Sequence, residues 1–159
     1  MRNEPILLPE RAAALARYPH GRLVGTGAEG ALVFVSGISS RRADHSHEGV
    51  TLHADGRVDK DIRVQTRAVL TNIEVILQAA GCTLADVVDI TVFLVDMVDY
   101  DGMNEEWNAR FADKVTAPAR TTVAVHQLPH PNLLVEMKAV ALVPSSSLST
   151  ASSSLKARP

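Results

Sequence analysis

One cysteine, Cys82, stands in the whole chain of 159 residues, which rules out an intrachain disulfide and leaves no thiol cluster for zinc or iron–sulfur chemistry. Neither sign of charge dominates: 16 Lys and Arg face 18 Asp and Glu, so no broad field exists to recruit nucleic acid or an anionic membrane. A local charge still suffices for a small anionic metabolite. Nowhere do about 18 apolar residues follow one another, and the opening MRNEPILLPERAAALARY scatters charges through any run of signal-peptide length. The expectation is a cytoplasmic protein, neither secreted nor membrane-spanning. What the chain does have is an apolar fraction of 46%, enough for the core of one domain.

Residues 144–159 (PSSSLSTASSSLKARP) are serine-rich and poor in large apolar side chains, too little buried surface to offset chain entropy, and are expected to be a disordered tail. Residues 1–17 read as an N-terminal extension in which Pro9–Arg17 is expected to form a short alanine helix, stopped by Tyr18-Pro19-His20-Gly21. Between them, 18–143 form the domain. Arg22–Gly37 contains two β-rich runs split by glycines, hence a hairpin, and Arg41–Arg57 is a loop with a short strand near Val50–His53. From Asp59 to Ala80, Ile62, Val69, Ile73, Ile76 and Ala80 recur at helical spacing, with Gly81 at the C-terminal cap position. Asp86–Val95 is dense in β-branched residues and predicts a strand buried on both faces. A second helix follows, with Tyr100, Met103, Trp107 and Phe111 as its apolar stripe. Arg120–His126 and Leu133–Leu142 are further strands, and the LPHPN loop between them suits a hairpin. The order β-β-(β)-α-β-α-β-β implies an α+β fold, a sheet covered by two helices.

Two residues could do chemistry. Arg120 opens a strand, where its guanidinium can meet a planar carboxylate through two parallel hydrogen bonds; the alternative is a structural ion pair, for example with Glu136. Glu136 lies in VEMKAVA, an otherwise apolar strand that also carries Lys138, so its carboxylate is paired, exposed or functional, and in the last case could hold and deprotonate a water. His45-Ser46-His47 with His53 invites a metal reading, but no H-x-x-x-H pair occurs and the region reads as loop, so no metal is expected. Ser36 lacks the G-x-S-x-G elbow of a nucleophile, and Gly25, Gly27 and Gly30 do not make a dinucleotide fingerprint.

Taken together, FVSG at 34–37, QTRAVLTNIEVILQAAG at 65–81, DVVDITVFLVDMVDYDGMNEEW at 86–107 and PARTTVAVHQLPHPNLLVEMKAVA at 118–141 resemble the RidA (YjgF) family, in order, across about Tyr18 to Leu142. The resemblance implies a chorismate-mutase-like α+β fold and a homotrimer with sheets inward, helices outward and active sites between subunits. It also implies hydrolysis of an enamine or imine of a carboxylic acid to a ketone and ammonia, without metal or organic cofactor. In that reading Arg120 holds the substrate carboxylate and Glu136 positions or activates the water. Tyr18, Ser36, Gly37 and Asn104 match family positions lining the cleft.

Two departures stand out: the usual S-G-Q reads Ser36-Gly37-Ile38, and a cysteine often found two residues after the arginine is Thr122. With the N-terminal extension and the long 41–57 loop, they resemble the 2-aminomuconate deaminases of aromatic degradation, which yield 4-oxalocrotonate and ammonia. The second carboxylate of such a substrate needs its own donor, and Arg22, Arg41, Arg42, His45 and His126 are candidates. The alternatives are a general 2-iminobutanoate/2-iminopropanoate deaminase and a non-catalytic ligand-binding regulatory trimer.

Overall fold

A computed structural model describes residues 3–12, 15–26 and 30–144. The serine-rich stretch lies outside these residues apart from Pro144. Among these residues eight strands and two α-helices follow in the order β1 (Asn3–Ile6), β2 (Gly21–Gly25), β3 (Ala31–Val35), β4 (Val50–Leu52), β5 (Val58–Lys60), α1 (Ile62–Ala79), β6 (Val87–Leu94), α2 (Tyr100–Arg110), β7 (Ala119–Ala124) and β8 (Val135–Val143). Six of the strands make one mixed sheet, ordered β1-β2-β3-β8-β6-β7, while β4 and β5 form a separate hairpin. Both helices cover one face of the sheet, giving the expected α+β architecture.

The α1 periodicity is realised as written: Ile62, Val69, Ile73, Ile76 and Ala80 are all in the core. Asp61 caps the helix by accepting from the backbone N–H groups of Arg63 and Val64, and Gly81 turns the chain away at φ 76°, a conformation that favours glycine. Helices α1 and α2 lie close because Gly102 has no side chain; a Cβ there would come within 2.7 Å of Ile62 Cγ2. The exposed seam is tied by Arg63–Glu105 and Arg67–Glu106 pairs, the latter at 2.6 Å. Cys82, just beyond the turn, is buried, and burial pushes its thiol up to about 11.

Four elements depart from expectation. The residues of Pro9–Arg17 that are described form turns and bends rather than a helix. So short an alanine run has little cooperative hold of its own. The groups flanking it go elsewhere: His20 Nδ1 accepts from the Leu8 N–H at 3.3 Å, and His20 Nε2 lies 3.2 Å from the Ala12 carbonyl oxygen. Ahead of it, Asn3–Ile6 joins the sheet as its edge strand beside β2. Past its first residue, buried Val87, strand β6 is buried only at alternate positions, Ile90, Val92 and Leu94, because the helices cover a single face. Finally, β7 and β8 are not a hairpin. The α2 crossover lays β7 parallel to β6 on one side, and β8 pairs with the other side of β6, so β6 separates them.

Candidate active site

Register assigns the two candidate side chains to opposite faces of the sheet. On β6, Ile90, Val92 and Leu94 point toward the helices, and Arg120 is in register with Ile90. Glu136 is in register with Phe93, whose side chain lies on the open face. Paired residues in a sheet share a face, so the ion pair considered between Arg120 and Glu136 does not form within the chain.

Each keeps to its own surroundings. The Arg120 guanidinium lies over the Trp107 ring, 4.7 Å from its centroid, and near Tyr100 at 5.8 Å. It donates to Asn104 Oδ1 at 2.8 Å and to the Tyr100 hydroxyl at 3.3 Å. All these partners are neutral, so the guanidinium is aimed and stacked but meets no carboxylate among the described residues. Thr122, two residues on, is in register with Val92 and thus on the same face, and its buried hydroxyl oxygen has no hydrogen-bond partner.

On the other face Glu136 is half-buried, at the edge of a cleft of about 710 Å³. Burial alone pushes its pKa above the ordinary carboxylate value. Gly37 makes room for it, since a Cβ there would stand 2.4 Å from Glu136 Oε1. The chain reaches that position because Ile38 and Met137 exchange backbone hydrogen bonds of 2.8 and 2.9 Å, continuing the β3–β8 pairing past the strand end. Ser36 spends its hydroxyl on the Pro19 carbonyl at 2.7 Å, which holds Tyr18-Pro19 against the end of β3. Tyr18, Ser36, Gly37 and Glu136 therefore line one cleft, while Asn104 and Arg120 sit together elsewhere on the chain.

The remaining wall comes from segments that local patterning left as loops. Asn72 of α1 accepts from the Arg11 guanidinium and donates to the Ser39 carbonyl at 2.9 Å, tying the N-terminal segment to the strand end. Buried Gln65 holds the loop before β8, donating to the Asn132 carbonyl at 2.8 Å and accepting from the Leu134 N–H at 2.9 Å. That loop brings His130 against His47, ring centroids 4.4 Å apart. Burial, then the positive charges of His130, Arg41 and Arg42, lower the pKa of His47. Of the five donors considered for a second carboxylate, Arg41 and His45 line the cleft. Arg22 donates to Asn3 at 2.8 Å and Arg42 is paired with Glu48 at 2.6 Å; neither they nor His126 line it. His53 is paired with Asp59 on the β4–β5 hairpin, and among the described residues no three His, Cys, Asp or Glu side chains gather as a metal-holding group. His47, His130 and Lys138 were not singled out as ligand contacts by patterning, although Lys138 carried a signal as a charge in an apolar strand.

The comparisons with known proteins agree with this architecture. The family model described as endoribonuclease L-PSP matches residues 10–143. A RutC family protein of Pyrococcus horikoshii is 46% identical over 84 residues, which are 53% of this chain and 64% of that one. The match thus spans just under two thirds of that relative's length. The 2-iminobutanoate/2-iminopropanoate deaminase of Escherichia coli is 36% identical over 88 residues, 55% of this chain and 68% of the relative. Among solved structures, the E. coli YjgF gene product has a TM-score of 0.65 at 29% identity, covering 87% of this chain and 97% of that one. E. coli TdcF with bound serine has a TM-score of 0.67 at 28% identity, with the same coverage. Among the described residues no helix is long and apolar enough to cross a membrane. With the mixed sheet, the two helices on one face and the family match running through all but the first of its strands, the chain belongs to the endoribonuclease L-PSP family, that of the RidA/YjgF proteins.

Proposed function

We propose that the protein is a cofactor-independent deaminase that hydrolyses the enamine or imine of a carboxylic acid, acting between copies of the chain. One observation carries the reading: an oriented guanidinium with only neutral partners among the described residues, and a half-buried carboxylate with no hydrogen bond among them, face away from each other across one sheet. Such groups are expensive to maintain unless a ligand uses them. Because they lie on opposite faces, a site using both takes Arg120 from one copy and Glu136 from its neighbour. The open face supports that assembly, since Phe34, Val123 and Leu142 leave apolar surface exposed on it. A homotrimer with its sheets inward buries this surface and brings Asn104 and Arg120 to the cleft lined by Tyr18, Ser36, Gly37 and Glu136.

In this reading the substrate enamine tautomerises to its imine, and Arg120 clamps the neighbouring carboxylate through paired hydrogen bonds. Glu136 takes a proton from water as the oxygen bonds to the imine carbon. The C=N electron pair moves to nitrogen, which takes that proton and leaves a carbinolamine. Its hydroxyl proton is then relayed through Glu136 to nitrogen, and as the C=O bond forms the C–N bond breaks and ammonia leaves. The finer assignment is 2-aminomuconate to 4-oxalocrotonate, supported by the Ile38 and Thr122 departures and the size of the cleft. The E. coli relative named for 2-iminobutanoate and 2-iminopropanoate favours a general mono-acid deaminase instead. Ammonia release measured side by side on both substrate types decides between them. Arg120→Ala is expected to lower kcat/KM by about a hundredfold or more, ~3 kcal/mol of transition-state stabilisation. Full turnover by a folded Arg120→Ala protein, or carboxylate binding with no turnover of any enamine by the unmodified protein, overturns the deaminase reading.

A further inference from the structure

The cleft beside Glu136 has a charge pattern that the proposed reaction does not use. Besides His20, whose ring nitrogens face the Leu8 N–H and the Ala12 carbonyl, six of its lining residues are cationic or can become so: Arg11, Arg41, His45, His47, His130 and Lys138. Among the described residues no acidic side chain other than Glu136 lines it. Hydrolysis of an imine needs one carboxylate clamp, and the proposed site already has one in Arg120. A cleft of about 710 Å³ is also roomy for an acid of three or four carbons, drug-sized ligand pockets starting at roughly 300 Å³.

The imidazole pair is the built part of this wall. His47 is buried, and its ring makes no hydrogen bond with the described residues. His130 Nδ1 accepts from the Asn132 N–H at 3.2 Å, which leaves the proton on Nε2 as a donor. The loop carrying His130 is fixed from beneath by the two hydrogen bonds of Gln65, so the ring is held by the core. Lys138 is two residues from Glu136 on the same strand, hence on the same face, and adds an ammonium at the cleft rim.

Building on the deaminase reading, we infer that this wall is a second acid-binding subsite, in which His47, His130 and Lys138, with Arg41 beside them, hold the distal carboxylate of a dicarboxylic enamine. The protein thereby selects dicarboxylates over mono-acids of equal length. Arg120 of the neighbouring copy holds the carboxylate next to nitrogen, and the paired imidazoles hold the one at the far end.

Titration calorimetry of the full chain with adipate and with its monomethyl ester isolates the distal charge, because the two ligands differ only there. Adipate is expected to bind at least tenfold more tightly. His130→Gln and, separately, the surface change Lys138→Met are each expected to cut that preference several-fold. Arg120→Ala weakens both ligands while the preference persists, which separates this subsite from the deaminase reading. Turnover tests that reading on its own, through ammonia release from a mono-acid imine. Equal affinity for adipate and its ester, or a preference that survives both His130→Gln and Lys138→Met, overturns the subsite.

Discussion

At the scale of single residues, the role proposed for Glu136 sets folding against chemistry. Its carboxyl titrates above the ordinary value because burial penalises the charged form, so folding favours the proton. A carboxyl whose folded pKa is raised supports the fold below its unfolded pKa, and that support is lost as pH rises through the folded value. Glu136→Gln is therefore expected to raise the melting temperature at neutral pH and to lose that advantage in acid. A scan of melting temperature against pH for both proteins measures it. The same change is expected to abolish ammonia release while carboxylate binding persists. Under the proposed mechanism, turnover by the unmodified protein rises with pH through a point above the ordinary carboxylate value, because Glu136 acts there as an ionised base. Both residues were legible as candidates, since a charge in an apolar strand and an arginine at a strand start are visible in the text. Their separation was not. Which face a side chain occupies depends on register with β6, and register is set by pairing between distant segments.

Among the elements, α1 was the most legible and β7–β8 the least. The α1 repeat is local, and its capping residues sit where the periodic run begins and ends. Whether β7 turns back on β8 or lies across β6 is decided by the α2 crossover, which no pattern within residues 119–143 encodes. The short strand β1 was hidden for a related reason: Asn3–Ile6 is a strand only because the edge of β2 is there to pair with. The loop before β8 is likewise defined by a residue far from it in sequence. Gln65, fully buried, satisfies the Asn132 carbonyl and the Leu134 N–H, and Gln65→Ala strips both. Two such groups left unpaired cost roughly 2–6 kcal/mol. Urea unfolding should show that loss, whereas Asp61→Ala, which removes a helix cap, should cost about 1 kcal/mol.

For the whole molecule, a site divided between copies has a signature that no single-chain site shares. Arg120→Ala and Glu136→Gln proteins, each inactive alone, are expected to regain activity when unfolded together and refolded as a mixture. A site recovers when the intact Arg120 of one copy meets the intact Glu136 of its neighbour, so random assembly returns on the order of a quarter of full activity. No recovery in mixed assemblies would place both groups' work within one chain. The buried thiol makes such assemblies open to measurement. With Cys82 sealed in the core and its thiol at about 11, the chain is nearly silent toward maleimides at neutral pH. A cysteine introduced at Val98, 80% exposed just before α2, then becomes a unique attachment point for a dye or spin label. Spacings between copies can be read from that one position without first engineering the native thiol away.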